Sequence, residues 1–179
     1  MSELSNLAAS SVAEARAYID AILGMLGDRD PWRVLEETPD EVARRVEDLD
    51  EATLRRPEAP GKWSLIQVVQ HLADSEIVWG WRLRMVIAQD RPAITGFDQD
   101  LWAERLGYDQ TSLADALQQL RLLRRLNLRI VRAVPEPERH LRVGIHAERG
   151  EETLAHMIRL EAGHDLAHLR QLDRIRQAV

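Results

Sequence analysis

The sequence predicts an all-α protein, a bundle of four or five long amphipathic helices in one domain. Three observations carry this. Apolar residues recur at three- and four-residue steps through most of the chain. Helix-start patterns precede these stretches. Nothing alternates at period two for long, which argues against a β-sheet fold.

The first helix begins at Ser11 and Glu14, a capping-box pair, and continues through Ala15, Tyr18, Ile19, Ile22, Leu23 and Leu26 until Gly27 stops it. Asp28 to Pro31 is a turn. Thr38, Pro39 and Glu41 then read as N-cap, N1 and N3 of a helix running to about Leu49, with an earlier piece from Trp32 joined to it by a kink. Pro57 to Gly61 is a break. Ser64 with Gln67 caps a long helix to about Gln89, interrupted only by Gly80. Arg91 to Phe97 is a loop, and Phe97 to Tyr108 a short aromatic and acidic stretch. Thr111 or Ser112 starts a helix to about Val134, ended by Pro135 and Pro137. His140 to Gly150 is a connection, partly extended, and the last helix runs from Glu151 to about Gln177. Residues 1–27 form an added helix, and 28–179 the bundle proper.

Composition narrows the function classes. At 179 residues there is room for one substantial core. The net charge of −6 argues against non-specific nucleic-acid binding, and the arginines are scattered along helices rather than clustered in a patch. There is no cysteine, so a metal site must use histidine and carboxylate, and a sulfur nucleophile would have to come from a cosubstrate. No apolar run approaches the roughly 20 residues that span a bilayer, and no signal peptide is visible. The expectation is a cytoplasmic protein that binds neither membrane nor nucleic acid.

The histidines carry the chemistry. On a helical wheel His164 and His168 lie about 40° apart in the middle of the apolar stripe formed by Leu154, Met157, Leu160, Leu172 and Ile175. Four-residue spacing lets both imidazoles reach one ion. The same pattern also fits two buried neutral histidines satisfied by hydrogen bonds. His71, inward-facing on the Ser64 helix, shifts the balance: three neutral imidazoles from two helices make a tripod that leaves a position open for water or substrate. Zinc, nickel and iron all suit such a set. His156 belongs on the rim and His140 in solvent, while His146 could approach the site from above. His164-Asp165-Leu166-Ala167-His168 is one residue type from the zinc-protease helix, but Asp is a methylene too short and the third ligand lies upstream. Glu161 and His164 make half of a di-iron motif whose second copy is missing.

Around the tripod, Glu161, about 60° from His164, could orient a ligand or accept a proton, or else pair with an arginine. Asp165 is expected to support a histidine or form a surface pair. Trp79, Arg82 and Trp102 could shape a substrate pocket, with Arg82 meeting an anion and Arg149 reaching the same mouth, although buried tryptophans are usually core.

These residues resemble the DinB/YfiT-like superfamily of metal-dependent helix bundles. The resemblance rests on Pro60-Gly61-Lys62-Trp63-Ser64 opening a helix, on His71-Leu72-Ala73-Asp74-Ser75-Glu76, and on Gly163-His164-Asp165-Leu166-Ala167-His168-Leu169. Asp98-Gln99-Asp100-Leu101-Trp102 and His146-Ala147-Glu148-Arg149-Gly150-Glu151 are similar to connecting segments of the YfiT-like branch. The match covers roughly Pro31 to Arg176. It implies a four-helix bundle with a long crossover, often dimeric, and a metal site of His71, His164 and His168. It also implies thiol S-transferase, mycothiol-dependent isomerase or hydrolase chemistry on a small molecule, with low-molecular-weight thiols as candidate substrates. A non-catalytic, stress-related bundle with a structural metal is the alternative.

Overall fold

The computed structural model describes residues 12–179, with side chains from residue 16 onward. Of the pair expected to cap the first helix, Ser11 lies outside the described residues, as do the side chains of Glu14 and Ala15. In chain order the elements are α1 (Val12–Leu26), α2 (Pro31–Val46), α3 (Glu51–Arg55), α4 (Leu65–Ala88), β1 (Ala93–Ile94), α5 (Gln99–Arg105), a 3₁₀ turn (Tyr108–Gln110), α6 (Leu113–Arg132), α7 (Glu136–Arg139), β2 (Val143–His146), β3 (Gly150–Thr153) and α8 (Leu154–Ala178).

Four long helices form the bundle. Each packs on two neighbours in the order α2, α8, α4, α6 and back to α2, so α2 faces α4, and α6 faces α8, across a diagonal. Two of the three connections therefore cross the bundle. The second carries the chain from α6 through α7, β2 and β3 to α8, and is the long crossover that the sequence implies. The core falls into two apolar clusters, one with Val42, Val69, Leu120 and Leu172 and the other with Leu83, Val131, Leu154 and Ile158, and Leu166 packs against both.

Local signals explain most element ends. Ser64 and Gln67 form the expected capping box, with the Ser64 amide donating to Gln67 Oε1 at 2.9 Å. Ser112 caps α6, and Thr153 caps α8 by accepting from the His156 amide at 3.1 Å. Gly80 does not break α4. A Cβ there would sit 2.5 Å from the Asn127 side chain, so the missing methyl lets α6 pack close.

Three expectations change. The Thr38-Pro39-Glu41 pattern does not start a helix. α2 begins at Pro31, where Asp30 accepts from the Trp32 amide at 3.0 Å, and Pro39 lies inside it. Thr38 donates instead to the Val34 carbonyl at 2.8 Å. The last helix starts at Leu154, not Glu151, because Gly150–Thr153 is drawn into antiparallel pairing with β2. β2 also pairs in parallel with β1, giving a three-stranded sheet too small to alter the fold class. The short helices α3 and α7 have too few residues to show a period.

α1 lies against α8. A Cβ on Gly163 would collide with the Ile22 carbonyl oxygen, so only glycine admits this approach. Ile22 and Leu26 are buried by it. The added helix thus caps its own bundle, and it reaches the end of the cleft described next.

Candidate metal centre

α4 and α8 bring the three inward histidines together. Their nitrogen donors all lie within 4.8 Å of one another. His71 Nε2 and His164 Nε2 stand 3.2 Å apart, close to the roughly 3.3 Å spacing of nitrogens in a tetrahedral set with bonds of about 2.0–2.1 Å. The ring centroids of His164 and His168 are 4.4 Å apart, and those of His71 and His168 4.7 Å apart. Trp63 closes the outer side of His71 at 5.0 Å.

Electrostatics keep these rings ready to donate lone pairs. Burial, and then repulsion from the neighbouring histidines, hold His71 and His164 well below the ordinary imidazole value. His168 is pushed down to about 4 by burial, partly offset by its hydrogen bond to Gln171. All three are therefore neutral at pH 7. The Gln171 contact also fixes a tautomer: His168 Nδ1–H donates to Gln171 Oε1 at 2.8 Å, which leaves Nε2 as the lone-pair nitrogen. His71 Nδ1 and His164 Nδ1 are buried without a partner among the described residues. Three neutral imidazoles, two of them with an unpartnered buried Nδ1, are poor core filling and a good nitrogen donor set, so the residues fit a transition-metal ion.

A buried ion network lies beside the tripod. Arg124 of α6 donates through Nε to Glu76 of α4 at 2.8 Å, and through Nη1 and Nη2 to Asp165 of α8 at 2.6 and 3.1 Å. Nη1 also donates to the Leu35 carbonyl of α2 at 2.7 Å. One guanidinium thus ties all four bundle helices. Burial opposes its charge, but Asp165 and Glu76 more than reverse that and hold its pKa up. Asn127 completes the set by donating to the Glu76 carboxylate at 3.0 Å. Asp165 is therefore neither a surface pair nor a hydrogen-bond partner of a histidine; it is fully buried and committed to Arg124.

The histidines open onto a narrow cleft of about 80 Å³. His71 and His164 line it together with Ser75, Trp79, Arg82, Arg149 and Glu161. α1 contributes Tyr18, Ile19 and Ile22 as the opposite wall. The Glu161 carboxyl is raised well above the usual carboxylate range by burial, then by Asp165 and Glu76. Among the described residues it pairs with no arginine, and its Oε1 has no hydrogen-bond partner.

The other candidates are spread more widely. Trp102 stacks on Phe97 at 4.7 Å and lines an adjoining groove that shares Val78, Arg82 and Phe97 with the cleft. His146 is buried outside the cleft wall, its Nδ1 accepting from the Glu148 amide at 3.2 Å. His156 is half-buried, and His140 is exposed beside Glu136. Sequence reasoning did not find Gln99, Tyr18, Gln171 or the partners of Arg124. Only Gln171 had a usable local signal, standing one turn after His168 on the same face.

Comparison with known proteins agrees with this geometry. Residues 34–172 match the family model of the DinB superfamily. A Bacillus mycoides protein provisionally named a metal-dependent hydrolase is 30% identical over 151 residues, spanning 84% of this chain and 86% of that protein. YfiT of Bacillus subtilis, with the same provisional name, is 34% identical over 100 residues, 55% of this chain and 54% of that one. The solved structure of YfiT, described as having an unusual four-helix-bundle topology, superposes with a TM-score of 0.72 at 25% identity and covers 89% of this chain and 87% of its own.

Proposed function

The chain belongs to the DinB superfamily, and from that premise we propose that it is a metal-dependent enzyme acting on a small molecule in the cleft. His71, His164 and His168 would hold one divalent transition-metal ion, zinc or nickel first and iron as a further candidate. When bound, such an ion supplies Lewis-acid chemistry that activates water or a low-molecular-weight thiol. The observation that carries the reading is the one-sided exposure of the tripod. His168 is buried and does not line the cleft, while His71 and His164 both do. A site that only stapled helices would have no need of that opening.

The chain's own residues supply the rest. Glu161 lines the cleft with a carboxyl that burial raises well above the usual carboxylate range, and there it serves as a hydrogen-bond donor and proton source to a leaving group. Ile19 and Ile22 of α1 and Trp79 of α4 exclude water from the far wall. Arg149 also lines the cleft, held in place by its ion pair with Glu152 at 3.0 Å. Water attack would make the enzyme a hydrolase, the reading that the relatives' names support. Thiol attack would make it an S-transferase, with the thiol arriving from solution because the chain has no cysteine. No helix among the described residues is long and apolar enough to cross a membrane. We place the protein in the cytoplasm as a homodimer.

A structural metal is the second reading, favoured by the near-complete burial of His71 (1% exposed) and His168 (3%). Turnover separates the two. Metal-loaded protein is offered an electrophile with a panel of small thiols, and in parallel a set of amide and ester substrates. Metal-dependent turnover of either kind, lost in Glu161→Gln or reduced about 100-fold, supports the enzyme. No turnover with any substrate, together with a large rise in melting temperature on metal addition, assigns the site to stability.

A further inference from the structure

We propose that the cleft contains an anion-binding subsite centred on Arg82, which holds a carboxylate or phosphate group of the substrate while the reacting bond lies at His71 and His164. This rests on the enzyme reading above and narrows its substrate to an oxyanion-bearing small molecule.

Charge pairing in the cleft is uneven. Arg149 is paired by a two-bond clasp to Glu152. Arg82 has no such compensation. Its one hydrogen bond goes from Nη2 to the Thr95 carbonyl at 2.7 Å, and it makes no ion pair among the described residues. Glu148, Glu152 and Glu161 are near enough to act on it through space, yet burial and the Arg149 charge prevail and lower its pKa. The protein therefore maintains a guanidinium in the wall of a cleft where its charge is opposed.

The neighbouring polar atoms are donors that lack acceptors. Trp79 (4% exposed) and Gln99 (5%) line the same cleft, and Trp79 Nε1, Gln99 Nε2 and Arg82 Nε are all buried without a partner among the described residues. Tyr18 of α1 adds a hydroxyl to the lining of the same cleft. Leaving buried donors unmade costs about 1–3 kcal/mol each, so a set of them around one unpaired guanidinium is expected to have an acceptor in the working state. A carboxylate or phosphate supplies several acceptor lone pairs at once and the opposite charge. A neutral ligand would meet the donors but leave Arg82 uncompensated. Tyr18 lies outside residues 34–172, so part of this subsite comes from a segment beyond the family match.

The test uses the full chain, stripped with a chelator and dialysed, so that no ion can bind the probes. Sodium phosphate and sodium acetate are titrated separately, with calorimetry and tryptophan fluorescence as readouts. One saturable site is expected for at least one of the two, and the stronger arm identifies the oxyanion. Arg82→Gln weakens it about tenfold or more, Gln99→Leu weakens it about threefold, and Arg33→Gln on the exposed surface leaves it unchanged. No saturation of the wild type up to about 100 mM of either anion, or unchanged affinity in folded Arg82→Gln and Gln99→Leu, overturns the subsite. Metal binding is measured separately on the same preparation. Loss of anion binding with intact metal binding refutes this inference alone; anion binding without metal binding refutes the enzyme reading instead.

Discussion

Arg124 donates to the Leu35 carbonyl at 2.7 Å because Pro39 cannot. In an unbroken helix the amide of residue 39 would bond the carbonyl of residue 35, but proline has no N–H. The vacated acceptor receives a guanidinium from the neighbouring helix α6. The proline that looks like a helix start in the sequence is thus part of the network that carries α8 and its two histidines.

Removing that guanidinium should be costly. Arg124→Met leaves Glu76 and Asp165 buried without their cation, and the expected loss is about 3–5 kcal/mol of unfolding free energy. Urea denaturation of the two proteins measures it. A loss under about 1 kcal/mol would mean that the network adds little and that the core alone aligns the helices.

Gln171 should tune the metal without holding it. Gln171→Leu removes the acceptor that fixes the His168 tautomer, and metal affinity is expected to fall about 10–100-fold with the fold intact. Competition against a chromophoric chelator reads this directly. Equal affinities for the two proteins would show that His168 is oriented by packing instead.

The acid limb of stability should contain His146. Burial, with the Arg149 charge added to it, pushes this imidazole down to about 4 from 6.5. Below pH 6.5 the unfolded chain binds a proton that the folded chain refuses, so stability is full above 6.5, falls as the pH drops, and levels off below about 4. The fall amounts to at most about 3 kcal/mol. His146→Asn keeps an acceptor for the Glu148 amide and cannot titrate. Its stability curve should therefore converge on the wild-type curve, or cross it, between pH 6.5 and 4. Parallel curves over that window would remove His146 from the account.

The fold and the tripod were legible because both follow from periodicity. Apolar stripes mark the long helices, and His71, His164 and His168 are polar residues inside those stripes. Arg124 and Asn127 carry the same signal, falling in register with the buried Leu120, Leu128 and Val131, but among so many arginines the position is easy to pass over. The pairing of Arg124 with Glu76, Asp165 and Leu35 cannot be read from sequence, since each partner comes from a different helix. The same holds for α1: its stripe shows that it packs, while Gly163 shows where, and only through the contact with Ile22.

The central claim is that His71, His164 and His168 hold one metal ion. Elemental analysis of untagged protein, purified without chelator or added metal, tests it against His164→Ala and His168→Ala prepared alongside. The account predicts about one transition-metal ion per wild-type chain, and near-complete loss in both variants while the helical signal is retained. Metal content in His164→Ala equal to that of the wild type would contradict it.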